Sequence, residues 1–295
     1  AAHRKILTER PESLVLGQDI ATYGGAFKVT DGLLADFGRP RVFNTPLAES
    51  ACTGYAVGLA LNGHRPIEEF QFADFVTEAA TQITLNAATM HFRSGAACPL
   101  VLRLPCGGGL TFGSFHSQEL EAFFLSMPGL KGLYPSTPQD AFNALLAAYE
   151  DPNPVLIFEH KALYPRKCAV PEGDYTIPFG EAALVREGEH VTVVAIGRMV
   201  SFAEKALDAL AADGITADLI DPRTLSPLDD ETIYESLENT GRLVIIDESP
   251  PRCSVASDIA ALVASNAFHT LKAPIVQITA PHTPVPFARE LERST

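Results

Sequence analysis

Short apolar runs alternate with helical stretches twice along this chain, with one interruption, and few folds accommodate that pattern. SLVLG (13–17), RVF (41–43), RPIEEFQF (65–72), PLVLRLP (99–105), LKGLYP (130–135) and VLIFEH (155–160) read as strands, being short, apolar and bounded by turn residues. Between them TDGLLADFG, ESACTGYAVGLALNG, DFVTEAATQITLNAATMHF and TPQDAFNALLAAYED read as helices, two of them ending in the glycine that commonly stops a helix. CAVPEGDYTIPFGEA (168–182) breaks the pattern and reads as an interdomain crossing. The alternation then resumes with strands HVTVVAIG, ITADLID, RLVIIDE and APIVQITA and helices MVSFAEKALDALAADG, DDETIYESLENTG and SVASDIAALVASNAF. Strands that alternate with helices pair in parallel and are covered on both faces. The chain is therefore expected to be a two-domain α/β protein, 1–170 and 171–295, each a mainly parallel sheet flanked by helices. The Pro-rich tail PHTPVPFARELERST is expected to wrap over a surface.

Charge and cysteine usage narrow the function. A net charge of −14 disfavours nucleic acid and permits docking to a basic protein partner. No apolar run reaches the roughly 20 residues of a membrane helix, and AAHRKILTERPES lacks the apolar core of a signal peptide. Five scattered cysteines without a C-x-x-C pair suit reduced thiols and a cytoplasmic location. The chain starts without Met and enters a strand by Ser13, so an N-terminal helix is expected to be partly missing.

Three stretches carry candidate chemistry. In RVFNTPLAES, Pro46 suits the first helical position, but a capping box from Thr45 is out of register, since Glu49 falls one residue late. Glu49 is then either a carboxylate favoured by the helix dipole or a proton carrier. In PCGGGLTFGSFHSQELEAFF (105–124) a glycine-rich loop follows a strand end, where α/β folds bind ligands. It matches neither G-x-G-x-x-G nor Walker A, so its glycines suit close backbone approach or loop movement. A lone loop histidine such as His116 is more often packed than catalytic, and Ser117 lacks the G-x-S-x-G elbow. EEFQFADF (68–75) reads as a central strand with aromatic packing, Phe75 opening a helix. His64, Glu68 and Glu69 lack metal-ligand spacing on one helix, and His91, His160, His190 and His269 show no partner in the sequence.

FNTPLAES, EEFQFADF and HSQELEAFF followed by PGLKGLYPSTPQDA stand in an order and spacing that resembles one family. It is the beta subunit of the thiamine-diphosphate-dependent decarboxylating component of 2-oxo acid dehydrogenase complexes. The resemblance runs from Leu16 to the C-terminus and includes YGGAFKVTDGLL, DPNPVLIFEHKALY, DPRTLSPLD, GRLVIIDE and APHTPVPF. The front half is most similar to branched-chain and pyruvate enzymes. YTIPFGEA, GRMV and PHTPVPF are similar to acetoin-cleaving relatives, so the substrate stays open. A transketolase-like subunit and a non-catalytic scaffold are the alternatives; a scaffold need keep neither Glu49 nor His116.

The resemblance implies a transketolase-like pyrimidine-binding domain followed by a transketolase C-terminal-like domain. It puts Glu49 at the pyrimidine N1′ of thiamine diphosphate, where a carboxylate in a mostly apolar crevice suits proton exchange. Leu47, Gln71 and Phe75 line the aminopyrimidine, with Gln18 beside them. His116 is the acid–base group near the reacting carbon during acyl transfer to lipoamide. Gln18 replaces the family's usual Glu, removing a charge, and Asn44 replaces the common Asp before Thr-Pro. A K+ site of backbone carbonyls is implied at Cys98, Leu100, Val101, Ala148, Asp151 and Asn153. The diphosphate–Mg²⁺ loop, Gly-Asp-Gly to a distant Asn, has no counterpart: the one Gly-Asp, Gly173-Asp174, is followed by Tyr. Half a cofactor site implies an alpha subunit that holds most of the Mg²⁺, in a heterotetramer of two alpha and two beta chains. The implied partners are completed by a lipoyl acyltransferase core and a small-molecule 2-oxo acid.

Overall fold

The computed structural model describes residues 1–169 and 177–293. The expected boundary at 170/171 and the Gly173-Asp174 reading lie outside the described residues.

A helix, α1 (Ala2–Glu9), precedes the first strand. β1 (Ser13–Gly17), β2 (Val42–Asn44), β3 (Arg65–Glu69), β4 (Val101–Cys106), β5 (Lys131–Leu133) and β6 (Val155–His160) follow in the expected places, every pair among them parallel. The helices that carry the chain between them are α2 (Leu33–Phe37), α3 (Glu49–Leu61), α4 (Met90–Ser94), α5 (Glu121–Leu125) and α6 (Pro138–Glu150). In the second unit come β7 (Ala183–Arg186), β8 (Val191–Ala195), α7 (Met199–Ala211), β9 (Ala217–Asp221), β10 (Thr224–Ser226), α8 (Asp230–Thr240), β11 (Leu243–Asp247), α9 (Val255–Asn266), β12 (Val276–Thr279) and α10 (Arg289–Glu292). One sheet has the order β10-β5-β6-β4-β3-β1-β2, the other β12-β11-β8-β9-β7.

β4 and β6 are buried at every position, which explains why their sequences are apolar runs rather than alternating patterns. The polar exceptions are paired. Arg103 is fully buried between Glu69 and Glu159, donating Nε to Glu159 at 2.9 Å, while the Tyr164 hydroxyl donates to Glu159 at 2.6 Å. The two sheets share a core: Leu104, Tyr134 and Phe158 of the first pack in one apolar cluster with Val194, Ile196, Ile220 and Ile245 of the second.

The structure corrects several expectations. DPRTLSPLD does not stay with the second unit, because β10 pairs antiparallel with β5 and extends the first sheet. An edge strand, β7, pairs antiparallel with β9 where no strand is legible. α3 begins at Glu49 with Ala48 as its cap, so Pro46 precedes the helix instead of opening it. The single helix expected over 74–92 is a 3-10 turn (Ala73–Ala79), a π-helical turn (Gln82–Ala87) and then α4. Its threonines account for much of the irregularity. Thr84 donates back to Ala80 O at 2.7 Å and Thr89 to Leu85 O at 2.5 Å, competing for carbonyls that the backbone N–H groups would otherwise take.

Candidate active site

Ligands of open α/β sheets sit at the carboxyl ends of the strands, where neighbouring strands send their connections in opposite directions. In the first sheet that place lies between β1, which leads outward to β2, and β3, which leads the other way to β4. The residues leaving those strand ends are Gln18 and Asp19 on one side and Phe70 and Gln71 on the other. Gln71 Nε2 donates to Asp19 Oδ2 at 3.0 Å, linking the two strand ends at the surface. Glu49, on the first turn of α3, accepts from Gln18 Nε2 at 2.9 Å. Four of the expected site residues thus meet at this point or beside it: Gln18 and Glu49 by a direct bond, Gln71 across the crevice, and Leu47 just before the helix. Gln18 Oε1 is buried and has no partner among the described residues. Leu47 is 78% exposed, an apolar side chain of the site left open.

Beneath Glu49 lies a second carboxyl, Glu68, on β3 and almost completely buried. Burial pushes it up to about 8, against the opposing hydrogen bond from Thr53 Oγ1 at 3.2 Å, while the nearby Glu49 charge pushes it further. The sequence treats Glu68 only as a failed metal ligand; nothing local marks it, because its burial comes from α3 packing over β3.

The glycine loop, 107–118, brings His116 to the same end of the sheet. Its ring meets Phe72 edge-on at 4.4 Å between centroids and Phe75 at 5.5 Å. Phe72 in turn contacts Phe27 and Phe112, so an aromatic wall stands behind the imidazole. Asp74, buried, accepts the Gln118 N–H at 3.2 Å through Oδ1 and fixes the end of the loop, while its Oδ2 is buried without a partner among the described residues. Burial raises the Asp74 carboxyl, with the Gln118 N–H, Lys161 and His116 opposing. The tail does wrap over this region, since Glu292 accepts the N–H groups of Gly109 and Thr111, both at 2.9 Å.

His160 has a partner that the sequence does not reveal. It ends β6, and its Nε2 lies 2.8 Å from Glu248 Oε2, a residue just past β11. Glu119 joins them, and ligand atoms of the three lie within 4.8 Å of one another, a spacing a metal ion could use. The hydrogen bonding points elsewhere. Ala162 N–H donates to His160 Nδ1 at 3.1 Å, which leaves the ring proton on Nε2, facing Glu248 as a donor rather than offering a lone pair. Around this pair Tyr134 donates to Glu119 at 2.9 Å, and Cys106 Sγ approaches the Tyr134 hydroxyl at 3.2 Å. Burial, with Glu121 and Glu248 nearby, holds the Glu119 carboxyl well above the ordinary range.

The six residues of the implied cation site come together at the opposite end of β4. Cys98 and Leu100 precede the strand and Val101 opens it, while Ala148 and Asp151 lie at the end of α6. Cys98 N–H donates to Pro152 O, Val155 N–H to Leu100 O and Asn153 N–H to Asp151 Oδ1, each at 2.9 Å. Lys131 pairs with Asp151 at the same place.

The two sheet orders and the polar side chains gathered at the first switch point define a two-unit α/β architecture with a ligand crevice between β1 and β3. Residues 1–167 match the transketolase pyrimidine binding domain and residues 180–295 the transketolase C-terminal domain. A solved structure titled split gene transketolase, inactive beta4 tetramer, covers 99% of this chain and 90% of its own at a TM-score of 0.74 and 24% identity, a likeness of fold. The acetoin:2,6-dichlorophenolindophenol oxidoreductase subunit beta of Bacillus subtilis is 48% identical over 93% of this chain and 81% of its own. The 2-oxoisovalerate dehydrogenase subunit beta of the same organism is 44% identical over 95% and 86%. The chain belongs to this family of transketolase-type dehydrogenase beta subunits.

Proposed function

We propose that this chain is the beta subunit of a thiamine-diphosphate-dependent 2-oxo acid dehydrogenase component, its pyrimidine-binding domain spanning 1–170 and its C-terminal domain 171–295. The observation that carries the reading is the Gln18–Glu49 bond at the switch point of the first sheet, beside an exposed Leu47. A carboxylate oriented by a neutral amide, beside an exposed apolar side chain, suits one half of a cofactor site shared with a second chain. The buried, unpartnered Gln18 Oε1 leaves an acceptor for a ligand donor in the crevice.

In this reading Leu47, Gln71 and Phe75 line the pyrimidine and Glu49 holds the proton at its N1′, with Gln18 fixing the Glu49 rotamer. Bound thiamine diphosphate supplies the acidic thiazolium carbon that makes decarboxylation of a 2-oxo acid accessible. Phe72 and Phe75 shield His116 from water on one side, and His116 moves protons during acyl transfer to lipoamide. The alpha partner, two copies with two beta chains, holds the diphosphate and most of the Mg²⁺. K+ suits the carbonyl oxygens of Cys98, Leu100, Val101, Ala148, Asp151 and Asn153, because the end of α6 carries the negative pole of its dipole. The acyl group passes to a lipoyl acyltransferase core, and the location is cytoplasmic. No helix among the described residues is long and apolar enough to cross a membrane.

The test uses the chain reconstituted with its alpha subunit. Glu49→Gln should fold and assemble, yet lose nearly all hydrogen–deuterium exchange at the thiazolium carbon; wild-type exchange in the variant would remove Glu49 from this role. Offering pyruvate, branched-chain 2-oxo acids and acetoin to the same preparation settles the substrate. Acetoin is the second reading, favoured by the 48% identity to the acetoin-named relative.

A further inference from the structure

The second sheet has a switch point of its own, between β8 and β11. β8 runs through α7 to β9 on one side, and β11 through α9 to β12 on the other. Arg198, at the start of α7, and Glu248, directly after β11, leave those strand ends where such a sheet would bind a ligand. Both grip the first domain. Glu248 Oε1 accepts the Gly108 N–H at 2.6 Å, and Arg198 Nη1 donates to the Gly108 carbonyl at 3.3 Å.

We propose that the ligand position of the second sheet is given over to the glycine loop of the first domain, and that Glu248 is a positioning residue for His116. The proposal rests on the reading of His116 as the acid–base group in acyl transfer. Glu248 acts through the backbone eight residues before His116 and touches no reacting atom.

The strut is well defined chemically. His160 donates its Nε2 proton to Glu248 Oε2, and its tautomer is fixed by the Ala162 N–H on Nδ1. Burial lowers His160 and keeps the imidazole neutral. Burial opposes the Glu248 charge, but the His160 bond, the Gly108 N–H and Arg198 outweigh it and hold the carboxyl at about 2. A carboxylate with both oxygens engaged, one by a side chain of the first domain and one by the loop, has little freedom to turn. Gly107 completes the fit: its φ is +85°, and a Cβ there would lie 2.1 Å from His160 Nε2, so the backbone crosses directly over the imidazole. Lys161 Nζ holds the Gly107 carbonyl at 2.6 Å from the other side. Beyond this anchor the loop is tied again at Gly109 and Thr111 by Glu292 and at Gln118 by Asp74, with His116 in the last span.

The experiment compares Glu248→Ala and Glu248→Gln in the reconstituted alpha–beta enzyme, by steady-state kinetics and by amide exchange read across 107–118. Losing the acceptor frees the loop, and a misplacement of the order of 1 Å costs about 10²-fold in rate. Glu248→Ala should therefore slow reductive acylation of lipoamide about 10²-fold, with KM for the 2-oxo acid little changed and amide exchange raised in 107–118. Glu248→Gln keeps an oxygen for the Gly108 N–H but turns its NH2 toward the His160 Nε2 proton, donor against donor, so it should recover only part of the rate. Wild-type acylation and wild-type loop exchange in Glu248→Ala would overturn the proposal, as would slowed acylation with wild-type exchange across 107–118. Should Glu248→Ala fail to assemble, Arg198→Ala removes the other grip on Gly108. It should show a smaller loss in the same direction, and normal acylation with unchanged loop exchange in that variant would overturn the proposal. A wild-type reconstitution that turns over nothing would refute the functional reading instead, and loop exchange in Glu248→Ala would still decide whether the strut exists.

Discussion

At the residue scale the structure spends burial on carboxyls that are not all needed as charges. Glu68 is the clearest case, held at about 8 with one oxygen unpartnered among the described residues. Its folded value lies above the ordinary 4.5. Between those two values the folded chain keeps a proton that the unfolded chain releases. Stability from this group is therefore complete below about pH 4.5 and falls as pH rises toward 8. Glu68→Gln keeps a polar partner for Thr53 and removes the ionisation. It should change stability little at pH 4 and raise it by a few kcal/mol, in order of magnitude, near pH 8. Thermal melts across that range provide the check, and a gain that does not grow with pH would mean the carboxyl is not desolvated. Arg103 shows the opposite solution, a buried cation between Glu69 and Glu159 whose removal would strand two acids. Neither environment is legible in RPIEEFQF or PLVLRLP, where these side chains are only polar interruptions of apolar runs.

At the scale of elements, the glycine loop and its histidine carry the sharpest test. If His116 is packed for stability alone, its loss lowers the melting temperature and affects every assay alike. If it moves protons during acyl transfer, His116→Ala should bind cofactor normally and slow reductive acylation by about 10²–10⁴-fold, the usual share of a general acid or base. Decarboxylation read with an artificial electron acceptor should fall less, because that assay bypasses the lipoyl sulfur. Equal losses in both assays would return His116 to a packing role beside Phe72 and Phe75. The strands that place this loop were legible because β4 and β6 are covered on both faces and so are mainly apolar, interrupted by the partnered Arg103, Glu159 and His160. Glu49, Gln71 and His116 were legible through the motif resemblance, and the fold brings them to one end of one sheet. Three kinds of feature were not. The helix over 74–92 hides its irregularity, since threonine back-bonding leaves the apolar spacing intact. β10 looks like part of the second unit because strand pairing to β5 spans about 90 residues of chain. His160 looks solitary because Glu248 lies 88 residues away in sequence.

At the scale of the whole molecule, the two sheets share an apolar core, yet several large apolar side chains stay exposed. Leu47 is 78% exposed, Phe115 73% and Phe92 93%, with Tyr55 and Leu85 also largely open. Soluble chains seldom leave so many large apolar side chains uncovered unless another surface packs on them. Leu47, two residues before Glu49, and Phe115, next to His116, form an apolar rim beside the candidate site, which suits the packing of a second chain. Among the described residues the one cluster of metal-ligand spacing, Glu119 with His160 and Glu248, is committed to hydrogen bonding inside the domain junction. A pyrimidine contact alone contributes few atoms, and small ligands gain at best about 1.5 kcal/mol per non-hydrogen atom, usually far less. The isolated chain should therefore bind thiamine diphosphate weakly, beyond the millimolar range in which about 4 kcal/mol of binding suffices, and turn over no 2-oxo acid or acetoin. Adding the alpha partner should restore both together and bury the apolar rim. Calorimetry with Mg²⁺ on the chain alone, repeated after reconstitution, separates the cases. Micromolar binding without a partner would show that this chain completes the cofactor site by itself.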